Sequence, residues 1–331
     1  MTAADWTFTN EDAEFFHRHL DSFVPARVFD AHGHLYARAQ FHGEPPPLVA
    51  NGPDPAGWRT YAAQTGQLIP GRDLSALLFP YPHTALDAGE ANRMVAAEVR
   101  NDPRSRALML VRPEDDAEFI REHVRREGFA GLKCYHIYAH RQPTWDARIE
   151  EFLPEQQVRV AHEENLAVML HIVRERALAD PANQGAIRDF CTRYPGMRLI
   201  LAHAARGFNP NHTMEGIESL RGIPNVWFDT SAVTEAGAFE AIVRTMGLDR
   251  LLFGFDFPVS HLRGRCVAIG DSFLWLSSAN TRFEAGYAGL RPSLIGLESL
   301  RALKTACWNL RLTASQIEDV FFRNAERLLG V

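Results

Sequence analysis

Long apolar runs are missing from this chain. No stretch reaches the roughly 18 apolar residues that a membrane-spanning helix needs, and the N-terminus, MTAADWTFTNEDAEFF, lacks the basic and apolar regions of a secretory signal. Together these absences predict a cytoplasmic protein without a membrane partner. Cysteine is scarce as well: Cys134, Cys191, Cys266 and Cys307 are scattered with no CxxC pair, which argues against a thiolate zinc site and a disulfide framework and leaves reduced thiols. There is no long basic run, and 35 Lys and Arg stand against 41 Asp and Glu for a net charge of -6, so a nucleic-acid backbone is not an expected partner.

What is present is an ordinary globular composition, 46% hydrophobic and 23% charged, over 331 residues. That length suits one barrel of roughly 250 residues carrying loop insertions. Eight short apolar runs rich in β-branched and aromatic residues recur: 27–34, 75–80, 106–113, 131–138, 167–173, 199–205, 225–233 and 251–258. Amphipathic helical stretches separate most of them, as in ALDAGEANRMVAAEVRN, DDAEFIREHVRREG and PEQQVRVAHEEN, each closing near Gly or Asn as helix ends do. Strands alternating with helices predict an α/β fold with a parallel sheet, and eight of them predict a (β/α)8 TIM barrel. The expected organisation is a single domain over 1–331, with a helical extension at 1–26. Two insertions follow strand ends, 35–73 with its GEPPPLVANGPDPAGW loop and 259–292 with HLRGRC and GDSFLWL, and should cover the active-site face.

Barrel active sites form where strands end, so polar residues there carry functional weight. The first run closes on Asp30-Ala31-His32-Gly33-His34, and strand alternation puts His32 and His34 on one side. His171, His203 and Asp256 stand near the ends of the fifth, sixth and eighth runs. Buried polar groups need partners, and one metal satisfies several at once. Neutral imidazole with carboxylate suits Zn²⁺ and also Mn²⁺ or Fe²⁺. Arg112, Arg174 and Arg206 follow strands three, five and six, while His83 and Tyr138 follow strands two and four. Arginine pairs bidentately with carboxylates, so these five are expected to bind a small anionic substrate. Asp229, Thr230 and Ser231 on strand seven could orient a ligand or complete hydrogen bonds behind the site. His261 and Arg263 of the late insertion could close over substrate, with Trp275 as an apolar wall.

The HxH of DAHGH, the MLHI of strand five, the LILAHAAR of strand six, the LLFGFDFP of strand eight and the closing IEDVFFRNAERLLG together resemble the amidohydrolase superfamily. The likeness is to its amidohydrolase-related (amidohydrolase 2) group, which includes aminocarboxymuconate-semialdehyde decarboxylase and metal-dependent lactonases, and it spans about residues 27–331. It implies that His32, His34, His171 and Asp256 contact a divalent metal, with His203 beside it as acid, base or polarising group. It implies that Asp256 also takes a proton from water, whose pKa a divalent ion lowers from about 15.7 to about 7. Lys133 occupies the order of a carboxylated lysine that bridges two metals in binuclear members; the alternative is a contact with a substrate carboxylate or a neighbouring acid, and one metal, Zn²⁺ or else Mn²⁺, is the expectation. The reaction expected is metal-dependent hydrolysis of a C–O or C–N bond in a small carboxylate-bearing lactone or amide. Non-oxidative decarboxylation of an aromatic or enoic acid is the alternative, a hydratase a third. The retained His32 favours hydrolysis, since some decarboxylases of the group carry Glu there. Homodimers are common in the group and are expected by analogy.

Overall fold

A computed structural model describes residues 6–277, 280–281 and 291–331. Eight strands pair in parallel and in chain order: β1 Arg27–Leu35, β2 Asp73–Pro80, β3 Arg106–Leu110, β4 Gly131–Cys134, β5 Ala167–Leu170, β6 Arg198–Leu201, β7 Val226–Asp229 and β8 Leu251–Leu252. Helices Ala88–Glu98, Ala117–Glu127 and Glu155–Glu163 fall where the sequence pattern predicts them. The first two start on carboxylate caps, Asp87 accepting from Glu90 N and Asp116 from Phe119 N, and Gly128 ends the second in a left-handed conformation. The architecture is a (β/α)8 barrel.

Side-chain alternation sorts the core into two layers. Phe29, Ala31, Leu77, Phe79, Ala167, Met169, Ile200 and Ala202 form the inner cluster, while their neighbours Val28, Leu78, Val168 and Leu199 face the helices. Phe322, Ala325, Leu328 and Leu329 of the closing helical segment plug the inner cluster from below. Asn324 fixes that plug by donating to the carbonyls of Leu248 and Leu251.

The ladder of β8 is only two residues long, and the barrel closes beyond it. Ala31 N donates to Phe253 O, Asp256 N to His32 O and His34 N to Phe257 O, each at 2.8 Å. β1 slips register between Asp30 and Gly33, and the buried Asp30 carboxylate gathers what the slip frees: Oδ1 accepts from His32 N and Phe255 N, Oδ2 from the Tyr61 hydroxyl at 2.7 Å. Tyr61 lies on helix Trp58–Leu68, so residues 35–73, read from sequence as an irregular loop, contain an 11-residue helix that buttresses the seam. In the later insertion, β9 Gly264–Ile269 and β10 Ser272–Ser277 form an antiparallel hairpin; its residues 278–279 and 282–290, like residues 1–5 of the N-terminal extension, lie outside the described residues. Asp12, on helix Asn10–His19, pairs with Arg263 and ties that extension to the base of the hairpin. Among the described residues no helix is long and apolar enough to cross a membrane, and all four cysteines are buried and unpaired.

Burial pushes the Asp30 carboxyl up to about 7, against the opposing hydrogen bonds from Tyr61, His32 and Phe255. The folded state therefore holds a proton that the unfolded chain, with a carboxyl near 4, has released, and this contribution to stability is lost as pH rises from about 4 through 7. Asn at position 30 keeps an acceptor for the two backbone amides and does not titrate. Urea unfolding of wild type and Asp30→Asn at pH 5 and pH 7 should show the wild type losing ~2–3 kcal/mol relative to the variant; parallel pH dependence would remove Asp30 from the account.

Candidate metal centre and its cavity

Barrel closure sets the reactive groups side by side. With Asp256 N bonded to His32 O, the ring nitrogens of His32 and His34 and a carboxylate oxygen of Asp256 all lie within 4.8 Å of one another, fully inside the protein. His34 Nε2 stands 3.3 Å and His32 Nε2 3.6 Å from Asp256 Oδ1. Both histidines rest on the Phe79 ring, at centroid distances of 4.9 and 4.7 Å.

The hydrogen bonds behind the rings fix their tautomers. His32 Nδ1 meets Asp229 Oδ2 at 2.9 Å and His34 Nδ1 meets Pro80 O at 3.1 Å. Both partners can only accept, so each Nδ1 carries the proton and each Nε2 is a bare lone pair. His203 Nδ1 lies 3.0 Å from Ser231 O, which requires a proton there too, and leaves His203 Nε2 to accept from His171 Nδ1 at 3.1 Å. His171 Nε2 is thereby bare as well. The Nε2 atoms of His32 and His171 are buried with no hydrogen-bond partner, and that of His34 faces a carboxylate oxygen, an acceptor against an acceptor.

Protonation of the rings does not relieve this arrangement. Burial pushes His32 and His171 well below the ordinary imidazole range and His34 below it. Burial also works against ionisation of Asp256, and what holds its carboxyl down at about 2 is positive charge at the positions of His32, His34 and His203, a charge that a cation supplies where the rings stay neutral. Neutral imidazoles converging with an ionised carboxylate fit a divalent cation, which supplies the positive partner these lone pairs lack. His171 belongs to neither cluster of three ligand atoms within 4.8 Å; it lines the same cavity and joins the group through His203.

Asp229 is the hub behind the site. Its Oδ2 holds His32, and its Oδ1 accepts from His203 N, Ser231 N and the Ser231 hydroxyl. The residues that turn into the cavity leave their strands in left-handed backbone: Asp256 at φ 65, and His203, Ala204, Ala205 and Arg206 at 57, 52, 59 and 56 in succession. Such conformations cost non-glycine residues about 1–2 kcal/mol each and cluster at functional sites.

A cavity of about 640 Å³ opens above these groups. Of the five residues expected to bind substrate, Arg206 lines it and four do not. Arg112 donates to Leu86 O and stacks on Tyr138, because the chain has left β3 at Leu110 and turned outward. Arg174 is taken by Asp180 at 2.8 Å and by Asp146 O. His83 Nδ1 accepts from Ala85 N, and the Tyr138 hydroxyl donates to His83 O. Lys133 points into the barrel, but its buried Nζ lies 4.6 Å over the Phe79 ring, without a hydrogen-bond partner, its ammonium lowered by burial to about 8. His203, expected as an acid or base, has both ring nitrogens engaged. His261 is buried between Gln64 O and the Trp6 ring, away from the cavity, whereas Arg263 and Trp275 line it. Sequence reasoning missed Tyr81, Tyr135, Trp145, Phe208 and Phe273 in the wall. Tyr81 and Tyr135 directly follow β2 and β4, the one signal that could have found them; Trp145 and Phe273 come from segments whose approach only the fold reveals.

A buried cluster of histidines and an aspartate at the C-terminal mouth of a (β/α)8 barrel defines a class of metal-site barrel enzymes. Within that class the chain belongs to the amidohydrolase family, whose model matches residues 29–331. It is 30% identical over 132 residues to L-fucono-1,5-lactonase of Burkholderia ambifaria, a match taking in 35% of this chain and 46% of that protein, so the chain matches about half the length of this relative. Its fold is similar to that of an amidohydrolase from Burkholderia multivorans with bound zinc, at a TM-score of 0.54 and 14% identity over 92% of this chain and all of the other. It is also similar to 5-carboxyvanillate decarboxylase from Sphingomonas paucimobilis, at 0.53 and 14% over 93% of this chain and all of the other.

Asp229→Asn tests the support of the centre. Three donors fix Oδ1 as an oxygen, so the new amide must aim its NH₂ at His32 Nδ1–H, donor against donor. Divalent-metal affinity, measured by competition with a chelator, should fall by about 10- to 100-fold; unchanged affinity would free His32 of any dependence on Asp229.

Proposed function

We propose that the protein is a metal-dependent hydrolase that opens a C–O or C–N bond, as a lactone or amide, in a small carboxylate-bearing substrate. The observation that carries this reading is the meeting of the bare Nε2 lone pairs of His32 and His34 with the Asp256 carboxylate, in a cavity that the bare Nε2 of His171 also lines. A single divalent cation, Zn²⁺ or else Mn²⁺, held by these four residues would polarise a carbonyl and bring the pKa of water down to about 7. Asp256 takes the proton of the attacking water and returns it to the leaving oxygen or nitrogen. His203, locked between Ser231 O and His171, orients His171. Tyr81 and Tyr135 stand beside His34 and His171, at ring distances of 5.5 and 5.0 Å. Burial drives both phenols upward, Tyr81 to about 12, so they stay protonated and can donate to a developing oxyanion. The partial match to a lactonase supports a lactone as substrate. Lys133, stacked on Phe79, is read as a buried structural cation, which supports one metal over two.

Non-oxidative decarboxylation is the second reading, favoured by the aromatic wall: a carboxylate stripped of water by such surfaces loses CO₂ more readily. Turnover in ¹⁸O-labelled water separates the two. Hydrolysis places one labelled oxygen in the product, and decarboxylation places none. Metal content near one ion per chain is expected, and Asp256→Asn should keep the fold and the metal-free melting temperature while losing turnover by about 10²-fold or more. Full activity in a chelator-treated, metal-free enzyme would overturn the proposal.

A further inference from the structure

The upper wall of the cavity is built around one cation. Arg206 lies 5.4 Å from the centroid of Trp145 and 5.1 Å from that of Phe273, a guanidinium stacked between two rings. The three residues come from different parts of the fold: Trp145 from the turn Thr144–Asp146 beyond β4, Arg206 from the left-handed turn after β6, and Phe273 from β10 of the hairpin. Arg206 gives one N–H to Arg174 O at 2.9 Å, and among the described residues no carboxylate pairs with it. Arg263, the other cation of the wall, is already neutralised by Asp12 at 2.9 and 2.5 Å. Among the described residues the cavity therefore offers one uncommitted positive charge outside the cluster of His32, His34 and Asp256. The surfaces around it are Trp145, Phe208, Phe273 and Trp275. Among the described residues no Asn, Gln or Glu lines the cavity, and Asp256 is its one acid.

We propose that the stack of Trp145, Arg206 and Phe273 makes this site selective for a substrate with an apolar, ring-sized body and a single carboxylate, and sets it against polyhydroxylated lactones and dicarboxylates. The proposal rests on the reading of this cavity as the active site. Arg206 takes the carboxylate with its remaining N–H groups, while Trp145 and Phe273 hold its plane in place and cover the body of the substrate. A sugar lactone would bury several hydroxyls mainly against aromatic faces, where the phenols of Tyr81 and Tyr135 and the indole N–H groups of Trp145 and Trp275 are too few to replace the hydrogen bonds given up to water. A second carboxylate would find, among the described residues of the lining, only Arg263, which Asp12 already neutralises. The specificity inferred here thus differs from that named for the L-fucono-1,5-lactonase relative, whose matched stretch is under half its length.

Calorimetric titration of the purified protein tests this with four probes: 2-naphthoate, its neutral counterpart 2-naphthamide, naphthalene-2,6-dicarboxylate and D-galactonate. 2-Naphthoate should bind about 10-fold or more tighter than each of the other three. Arg206→Met should abolish the preference of naphthoate over naphthamide, and Phe273→Ala should reduce it, with circular dichroism and melting temperature confirming folded variants. D-Galactonate or the dicarboxylate binding as tightly as 2-naphthoate, no measurable binding of 2-naphthoate, or an Arg206→Met variant that keeps the preference would each overturn the proposal. The comparison among probes on the wild type stands whether or not the variants fold. Binding requires no turnover, so loss of the hydrolase reading through the ¹⁸O or metal-free measurements leaves this ranking legible. A flat ranking on an enzyme that passes those measurements removes the selectivity alone.

Discussion

The seam that closes the barrel is the constraint on which the site depends. β8 contributes only two residues to the regular ladder, so the first and last strands are joined by bonds between 31–34 and 253–257. Those same segments carry His32, His34 and Asp256. Closing the sheet and assembling the cluster of His32, His34 and Asp256 are therefore one event: Asp256 N cannot bond His32 O without bringing the carboxylate to the imidazoles. Asp30 and Tyr61 brace the seam from its outer side through a buried hydrogen-bond cluster, and the apolar Phe79 floor holds the rings upright. The geometry of the centre thus belongs to the backbone ladder, whose strength comes from the cooperative packing of the whole barrel.

Polarity is arranged to leave acceptors without donors. A protein that folded only for stability would pair each buried imidazole on both sides. Here the Nδ1 of His32 and of His34 is satisfied by an oxygen that can only accept, that of His171 by the bare Nε2 of His203, and two of the three facing Nε2 atoms are left with nothing. Removing such lone pairs from water without return is costly, roughly 1–3 kcal/mol for each group. The surrounding structure enforces this cost through Asp229, Pro80 and the pair of His203 with Ser231, none of which touches the cavity's contents in the way a ligand would. The orphaned atoms are intelligible once a cation is their partner, which ties the electrostatics of the site to its chemistry.

The sequence was most legible where periodicity and strand-end position coincide. Eight apolar runs alternating with helices predict the barrel; β1 and β2 match their runs to within two residues at either end, and β3 to β7 are trimmed by three or four residues at their C-terminal ends. His32, His34, His171 and Asp256 stand out in the sequence as polar residues closing apolar runs, and the structure brings all four to one cavity. Lateral reach was illegible. Arg112 and Arg174 follow strands as closely as Arg206 does, yet carbonyls and Asp180 capture them, and nothing in the spacing distinguishes the three. The hydrogen bonds that fix each tautomer join residues up to 197 positions apart, beyond any local pattern. The left-handed run at 203–206 is also hidden, because His, Ala, Ala and Arg give no glycine signal for a conformation that favours glycine.

That left-handed turn links the two ends of the site. His203 begins it, bonded to His171 and, through Ser231 and Asp229, to the support of His32, and Arg206 ends it, stacked between Trp145 and Phe273. Its strain, about 1–2 kcal/mol for each residue, is held in place by burial of Ala204 and Ala205 and by the Thr213 hydroxyl donating to Ala204 O at 2.9 Å. A glycine-rich segment would adopt the same path with less strain but would not hold it, since glycine has more freedom to lose on ordering. Methyl-bearing residues packed on every side convert the strained turn into a rigid spacer. The backbone then fixes where the Arg206 side chain starts, and the rings of Trp145 and Phe273 fix where its guanidinium ends. A rigid anchor distance of this kind restricts which substrates can place a scissile bond beside Asp256 while their carboxylate reaches Arg206.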